Sequence, residues 1–238
     1  IPTTPELVVS GLDGTILETE DYHRRAYNVL FGEMGLAQRW SKEDYSERLA
    51  TMGGEKFREV FRWLDRPADE FEETKKELYA RKTKHYVSLI VADLNQQKLP
   101  MRPGVKRLLG EILSEGIPLA IGSACVKWAA LEVLHAALGE EFGSSLATVC
   151  AGDDVSRKKP HPDIYLLAAE QCGVAPENCL VLEDTTHGLH AALKAGMTCV
   201  VTPSELALSD DFTGAHILAE SLEVPARIGV ETLKELVD

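Results

Sequence analysis

Apolar and polar positions alternate along this chain in blocks of two kinds. Short β-branched or apolar runs, Leu7-Val8-Val9-Ser10, Pro118–Gly122, Ala147–Cys150, Cys179–Leu182 and Thr198–Val201, read as buried strands. Between them lie stretches with helical spacing, including about Val126 to Leu138, Pro162 to Cys172 and Thr186 to Ala195. The stripe Val105, Leu108, Leu109, Ile112 and Leu113 is one helical face, and Gly116 ends it. Gly173 stands just past the end of another helix. Such alternation predicts an α/β fold with a doubly wound parallel sheet.

One interval breaks the alternation. No convincing strand lies between residues 20 and 95. Helices are predicted from Thr19 to Phe31, from a start at Ser41 with Asp44 three residues on, from Glu55 to Leu64, and from Ala68 to about Leu89. The interval is therefore a helical insert after the first strand, and Leu99-Pro100 and Arg102-Pro103-Gly104 mark the return. The domains expected are a core of 1–18 and 97–238 and a helical cap of 19–96. Charges over Asp69–Lys84 read as a solvated face with i,i+4 pairing.

Composition narrows the class. The 238 residues are 45% apolar and 26% charged, ordinary for a globular chain, and the net charge of −13 argues against nucleic acid or an anionic membrane as partner. No apolar run approaches the ~20 residues of a spanning helix. The five cysteines, Cys125, Cys150, Cys172, Cys179 and Cys199, lack metal spacing and read as reduced, mostly buried thiols. The chain begins Ile1-Pro2-Thr3, read as a processed or trimmed start.

Candidate chemistry collects where strands end. The first strand hands over to Gly11-Leu12-Asp13-Gly14-Thr15, the second to Ser123, and Cys179–Leu182 to Glu183-Asp184. In open parallel sheets ligands bind at that carboxyl edge. Read singly, Ser123 is a cap or turn residue, Glu183-Asp184 a helix-start charge, and Lys159 part of the basic run Arg157-Lys158-Lys159.

Together these residues resemble the haloacid dehalogenase (HAD) superfamily, in its β-phosphoglucomutase and CbbY sugar-phosphatase branch. Leu12-Asp13-Gly14-Thr15 followed by Glu18–Ala26 is similar to its first motif, Asp-x-Asp-Gly-Thr, and LEDTTHGLHAA from Leu182 to its fourth. The resemblance implies a HAD-like core with a cap after strand one. It implies Asp13 as general acid/base whose backbone carbonyl meets Mg²⁺, Ser123 as a phosphoryl-binding hydroxyl, and Lys159, with Lys158 the adjacent alternative, as the charge-offsetting cation. Glu183 and Asp184, with Asp13, would hold Mg²⁺. Thr19 and His23 align with cap residues near the substrate, His23 being equally readable as a core histidine.

The departures fall on the chemistry. The first Asp of the motif is Gly11 here, and Ser10 replaces the bulky apolar residue before it. In the family that Asp attacks phosphorus and ligates Mg²⁺. Glu55 follows Gly53-Gly54 where relatives carry a phosphate-binding Lys, leaving Lys56 or Arg58 to substitute. The expectation is a HAD-like protein with a degenerate, non-catalytic site and weakened Mg²⁺ binding. It would bind a phosphorylated sugar or act as a scaffold or subunit with protein partners. The alternative is a working Mg²⁺-dependent sugar-phosphate phosphatase or mutase. The resemblance implies a carbon-fixation setting, the chloroplast stroma or the cytoplasm.

Overall fold

The computed structural model describes residues 4–49, 51 and 53–237, so the start Ile1-Pro2-Thr3 lies outside the described residues. Contacts divide the chain into two compact units, Ile1–Glu18 with Leu94–Asp238, and Thr19–Asp93.

The first unit is built on six parallel strands: β1 (Leu7–Ser10), β2 (Leu119–Gly122), β3 (Thr148–Cys150), β4 (Cys179–Glu183), β5 (Thr198–Val201) and β6 (Ile217–Leu218). Their order is β3-β2-β1-β4-β5-β6. Every residue of β1, β2, β4 and β5 is buried, which is why these strands read as continuous apolar runs. Burying each such Val, Leu or Ile contributes about 1.5–3 kcal/mol. Leu7, Val9, Val181 and Cys199 join Tyr165, Ala168, Leu189 and Ala192 from the helices in one core cluster. Those helices are α8 (Asp163–Cys172) and α9 (Thr186–Lys194). The chain winds outward from β1 on one side and from β4 on the other. The switch point of the sheet is thus the gap between the carboxyl ends of β1 and β4, where Ser10 pairs with Leu182.

The second unit contains α1 (Glu20–Glu33), α2 (Lys42–Ser46), α3 (Phe57–Trp63) and most of α4 (Phe71–Asn95). Ser41 and Asp44 form a reciprocal capping box at α2, as their spacing predicts. The interior is aromatic: Tyr27, Phe31, Trp40, Tyr45, Phe57, Phe61 and Phe71 cluster, with Tyr27 and Phe31 each in contact with the Trp40 ring.

Several elements differ from the pattern's expectation. Helix α4 runs to Asn95 rather than Leu89, because Ile90 is fully buried and no breaker occurs before Gln97. Helix α3 begins at Phe57; Gly53–Lys56 form a 3₁₀ turn instead. The pattern also misses β6, only two residues long and defined by pairing with Val200 and Val201. The short helices α7 (Glu140–Ser144) and α10 (Val230–Lys234) escape it too, since five residues carry no period. Helices α5 (Val105–Ser114) and α6 (Lys127–Leu138) fall close to their predicted places.

Candidate active site at the β1–β4 edge

Backbone pairing sets the site's geometry. The Gly11 N–H donates to Leu182 O at 2.9 Å, extending β1 one residue beyond its last pair, so position 11 stands level with Glu183. A Cβ built on Gly11 would lie 3.6 Å from Glu183 Oε1 and only 2.6 Å from Thr15 Oγ1. The Thr15 hydroxyl occupies that space and donates to Asp184 Oδ1 at 2.9 Å. Behind the turn a cavity of about 10 Å³ is lined by Ser10, Thr15 and Thr202 with Leu109, Leu182 and Val200.

The turn itself is wound tightly. Gly14 N–H donates to Leu17 O at 2.7 Å and Ile16 N–H to Leu12 O at 2.9 Å. Gly14 has φ +75°, and a Cβ there would sit 2.0 Å from Asp184 Oδ2, so both the conformation and the close approach require glycine. Asp13 Oδ2 accepts a hydrogen bond from the Cys125 thiol at 2.9 Å. Ser123, 2% exposed, is fixed by its N–H on Cys150 O at 2.9 Å, and its Oγ accepts the Cys125 N–H at 3.1 Å.

Lys159 is the lysine turned inward. Its Nζ donates to Gly122 O at 3.1 Å and meets Glu183 Oε1 at 2.5 Å, whereas Lys158 turns to Val155 O and is exposed. Glu183 is 2% exposed and also accepts the hydroxyl of the fully buried Tyr165 on Oε1. Its Oε2 accepts the Asp184 N–H at 3.0 Å. Burial alone would push the Glu183 carboxyl up; the Lys159 ammonium and the hydrogen bonds from Lys159, Tyr165 and Asp184 outweigh it and hold the carboxyl below its usual range. Asp184 goes the other way: burial, then the charge of Glu183, raise it well above the carboxylate range. The two neighbouring acids are thus pushed in opposite directions. Burial, then the neighbouring Glu183 charge, also raise the Tyr165 phenol.

Thr19, His23 and Lys56 belong to the second unit. Thr19 is buried and its carbonyl accepts the Tyr22 N–H at 3.0 Å. The His23 ring stacks on Tyr86 at 4.0 Å, with Nδ1 2.6 Å from Lys82 Nζ. Burial, then Lys82 and Lys56, lower its pKa well below 6.5. Lys56 bonds to Thr51 O and lies 5.7 Å from the Tyr45 ring; burial lowers its pKa while Glu20 opposes the shift. Arg58, the other substitute, is exposed and paired with Glu55, which Lys75 also engages at 2.8 Å.

Two contributors escaped sequence reasoning. Tyr165 looked like one more apolar position of α8. Arg102 looked like a boundary marker, yet its guanidinium donates to the carbonyls of Gly14, Thr202 (2.7 Å) and Pro203 (2.8 Å) and pairs with Glu18 at 3.2 Å. A lone Arg before Pro-Gly carries no signal for that role.

HAD-type phosphatases use Mg²⁺, and the donor set here fits the ion poorly. Mg²⁺ holds oxygens at 2.0–2.1 Å in near-octahedral geometry, so ligand atoms stand about 3 Å apart, or about 4 Å across the ion. Among the described residues, the side-chain carboxylates of Asp13, Glu183 and Asp184 do not bring three oxygens within 4.8 Å of one another. Each has an oxygen engaged by a protein donor, and Gly11 has no carboxylate to add. The expected set pairs the carboxylates of Glu183 and Asp184 with the Asp13 backbone carbonyl, and of these Glu183 already receives three protein donors.

The haloacid dehalogenase-like hydrolase family model matches residues 9–202, from the end of β1 through β5, with each of the turns above. CbbY of Rhodobacter capsulatus is 36% identical over 230 residues, covering 95% of this chain and 97% of the relative. The chain belongs to the CbbY-like haloacid dehalogenase-like hydrolases. A CBBY-like protein of Arabidopsis thaliana is also 36% identical, over 94% of this chain and 72% of that one. CbbY from Rhodobacter sphaeroides solved with phosphate superposes with TM-score 0.81 at 32% identity, covering 95% and 99% of the two chains. An Asp-to-Asn mutant of the same CbbY, holding xylulose-(1,5)bisphosphate, gives 0.80 at 32% identity, over 93% and 96%. Among the described residues of this CbbY-like chain no helix is long and apolar enough to cross a membrane.

Proposed function

We propose that this CbbY-like chain binds a phosphorylated sugar at the β1–β4 edge without hydrolysing it at enzymatic rates. One observation carries the reading: the position level with Glu183 at the end of β1 is Gly11, with the Thr15 hydroxyl in the space its side chain would fill. Lys159 and Ser123 supply a cation and a hydroxyl for a phosphoryl group, but nothing at position 11 can attack phosphorus. Loss of a covalent nucleophile costs on the order of 10⁶ in kcat, or about 8 kcal/mol of barrier. The ligand proposed is a ketose phosphate or bisphosphate, by analogy with the xylulose bisphosphate held by the related CbbY. A scaffold role among protein partners is the other form this reading takes, and the chloroplast stroma or cytoplasm is its proposed setting, from the plant relative.

Phosphate release from a panel of sugar phosphates, with the unmodified chain beside Gly11→Asp, tests the proposal. The unmodified chain is expected to stay about 10⁶-fold below an ordinary phosphatase. Gly11→Asp, once Thr15 turns aside, is expected to gain at least about 10³-fold. Turnover by the unmodified chain near 1 s⁻¹, a common enzyme rate, would instead establish the working phosphatase.

A further inference from the structure

We infer that Glu183 acts in this chain as the counter-ion and brace of Lys159, not as a ligand of a divalent cation, so that the site takes its anion without a metal ion. The second half rests on the proposed function; the first stands on geometry alone. A carboxylate offers about four lone-pair positions, and three in Glu183 are filled, by Lys159, Tyr165 and the Asp184 N–H.

The protein also closes over this group. A Cβ at Gly188 would lie 2.0 Å from the Glu183 carboxyl carbon, so the first turn of α9 rests directly on it. Turning Glu183 toward a metal would strip the inward-facing Lys159 of its counter-charge and the fully buried Tyr165 hydroxyl of its acceptor. Asp184 is held against Gly14 and Thr15, and the Asp13 carboxylate takes the Cys125 thiol. Lys159 spends two of its three donors, on Gly122 and Glu183, and the third remains for a phosphoryl oxygen.

Titration of the full chain with Mn²⁺, read by the loss of the free ion's paramagnetic resonance signal, decides the first half. No saturable site is expected, and the lysine-selective ¹⁵N resonance of Lys159 Nζ is expected to stay in place when Mg²⁺ is added. That resonance should move in Glu183→Gln, a variant of equal volume that keeps a hydrogen-bond acceptor. Mn²⁺ binding that Glu183→Gln leaves unchanged belongs to the acidic surface and agrees with the inference. Saturable binding lost in Glu183→Gln, or a Lys159 shift on adding Mg²⁺, overturns it. Inorganic phosphate titrated in excess EDTA and in excess Mg²⁺ tests the second half: equal affinity is expected, and binding only with Mg²⁺ overturns it. Binding in neither condition defeats the proposed ligand-binding function, while the Mn²⁺ result still decides the role of Glu183.

Discussion

Each unit turns a lysine inward, Lys82 fully and Lys159 in large part, and the two solve the problem differently. In the sheet unit Lys159 faces a carboxylate, Glu183, at 2.5 Å, and the Tyr165 hydroxyl shares the same oxygen. In the helical unit Lys82, 3% exposed, lies 5.0–5.4 Å from the rings of Tyr27, Tyr79 and Tyr86, with His23 Nδ1 at 2.6 Å. The first arrangement is an ion pair inside an apolar sheet edge, where losing one partner strands the other. The second spreads a cation over several ring faces, each a modest attraction. The comparison teaches that the sheet unit is the brittle one, and that its polar residues stand or fall as a group.

The largest expected effect follows from that difference. Glu183→Ala should destabilise the sheet unit by about 3–5 kcal/mol, the cost of a buried charge without its partner. Urea unfolding of the full chain would measure it, and a loss below about 1 kcal/mol would show the pair to be screened by solvent. Tyr165→Phe comes next. It removes a hydrogen bond to a charged group and should cost about 1.5–3 kcal/mol in the same assay.

A pH dependence separates the units again. The folded His23 pKa is lowered below the ordinary 6.5, so the unfolded chain binds the proton first as pH falls. Its contribution to stability is therefore complete above about pH 6.5 and declines below it, by up to about 1.4 kcal/mol per pH unit until the folded pKa is reached. Melting temperatures of the unmodified chain and His23→Gln should converge as pH drops through that window. Parallel curves would show that His23 is solvated. The smallest effect is expected from Lys82→Met, which loses cation–π attraction but also the cost of burying a charge. A change within about 1 kcal/mol is expected; a loss comparable to Glu183→Ala would erase the distinction between the two lysines.

Much of this was legible in the one-dimensional pattern. The parallel sheet could be read because strands buried on both faces must be apolar throughout, as β1 and β4 are. The helical insert could be read from the absence of strands between residues 20 and 95. Asp13, Ser123 and Glu183 could be picked out because each ends a strand, and strand ends are where a parallel sheet presents polar groups. Above all, Gly11 is a fact of sequence, and no folding can give it a carboxylate.

Other features depend on residues far apart in the chain. Which of two adjacent lysines faces Glu183 is set by the loop between β3 and α8, and composition cannot rank Lys158 against Lys159. The Cys125 thiol meets Asp13 across 112 positions. Arg102 joins three carbonyls and Glu18 only because the chain returns beside the first turn. The sequence alone determined the sheet, the insert and the glycine at position 11, since burial, period and side-chain chemistry are local properties. Only the tertiary structure decided what the remaining acids do, because a carboxylate's role depends on which donors reach its lone pairs, and those donors come from every part of the fold.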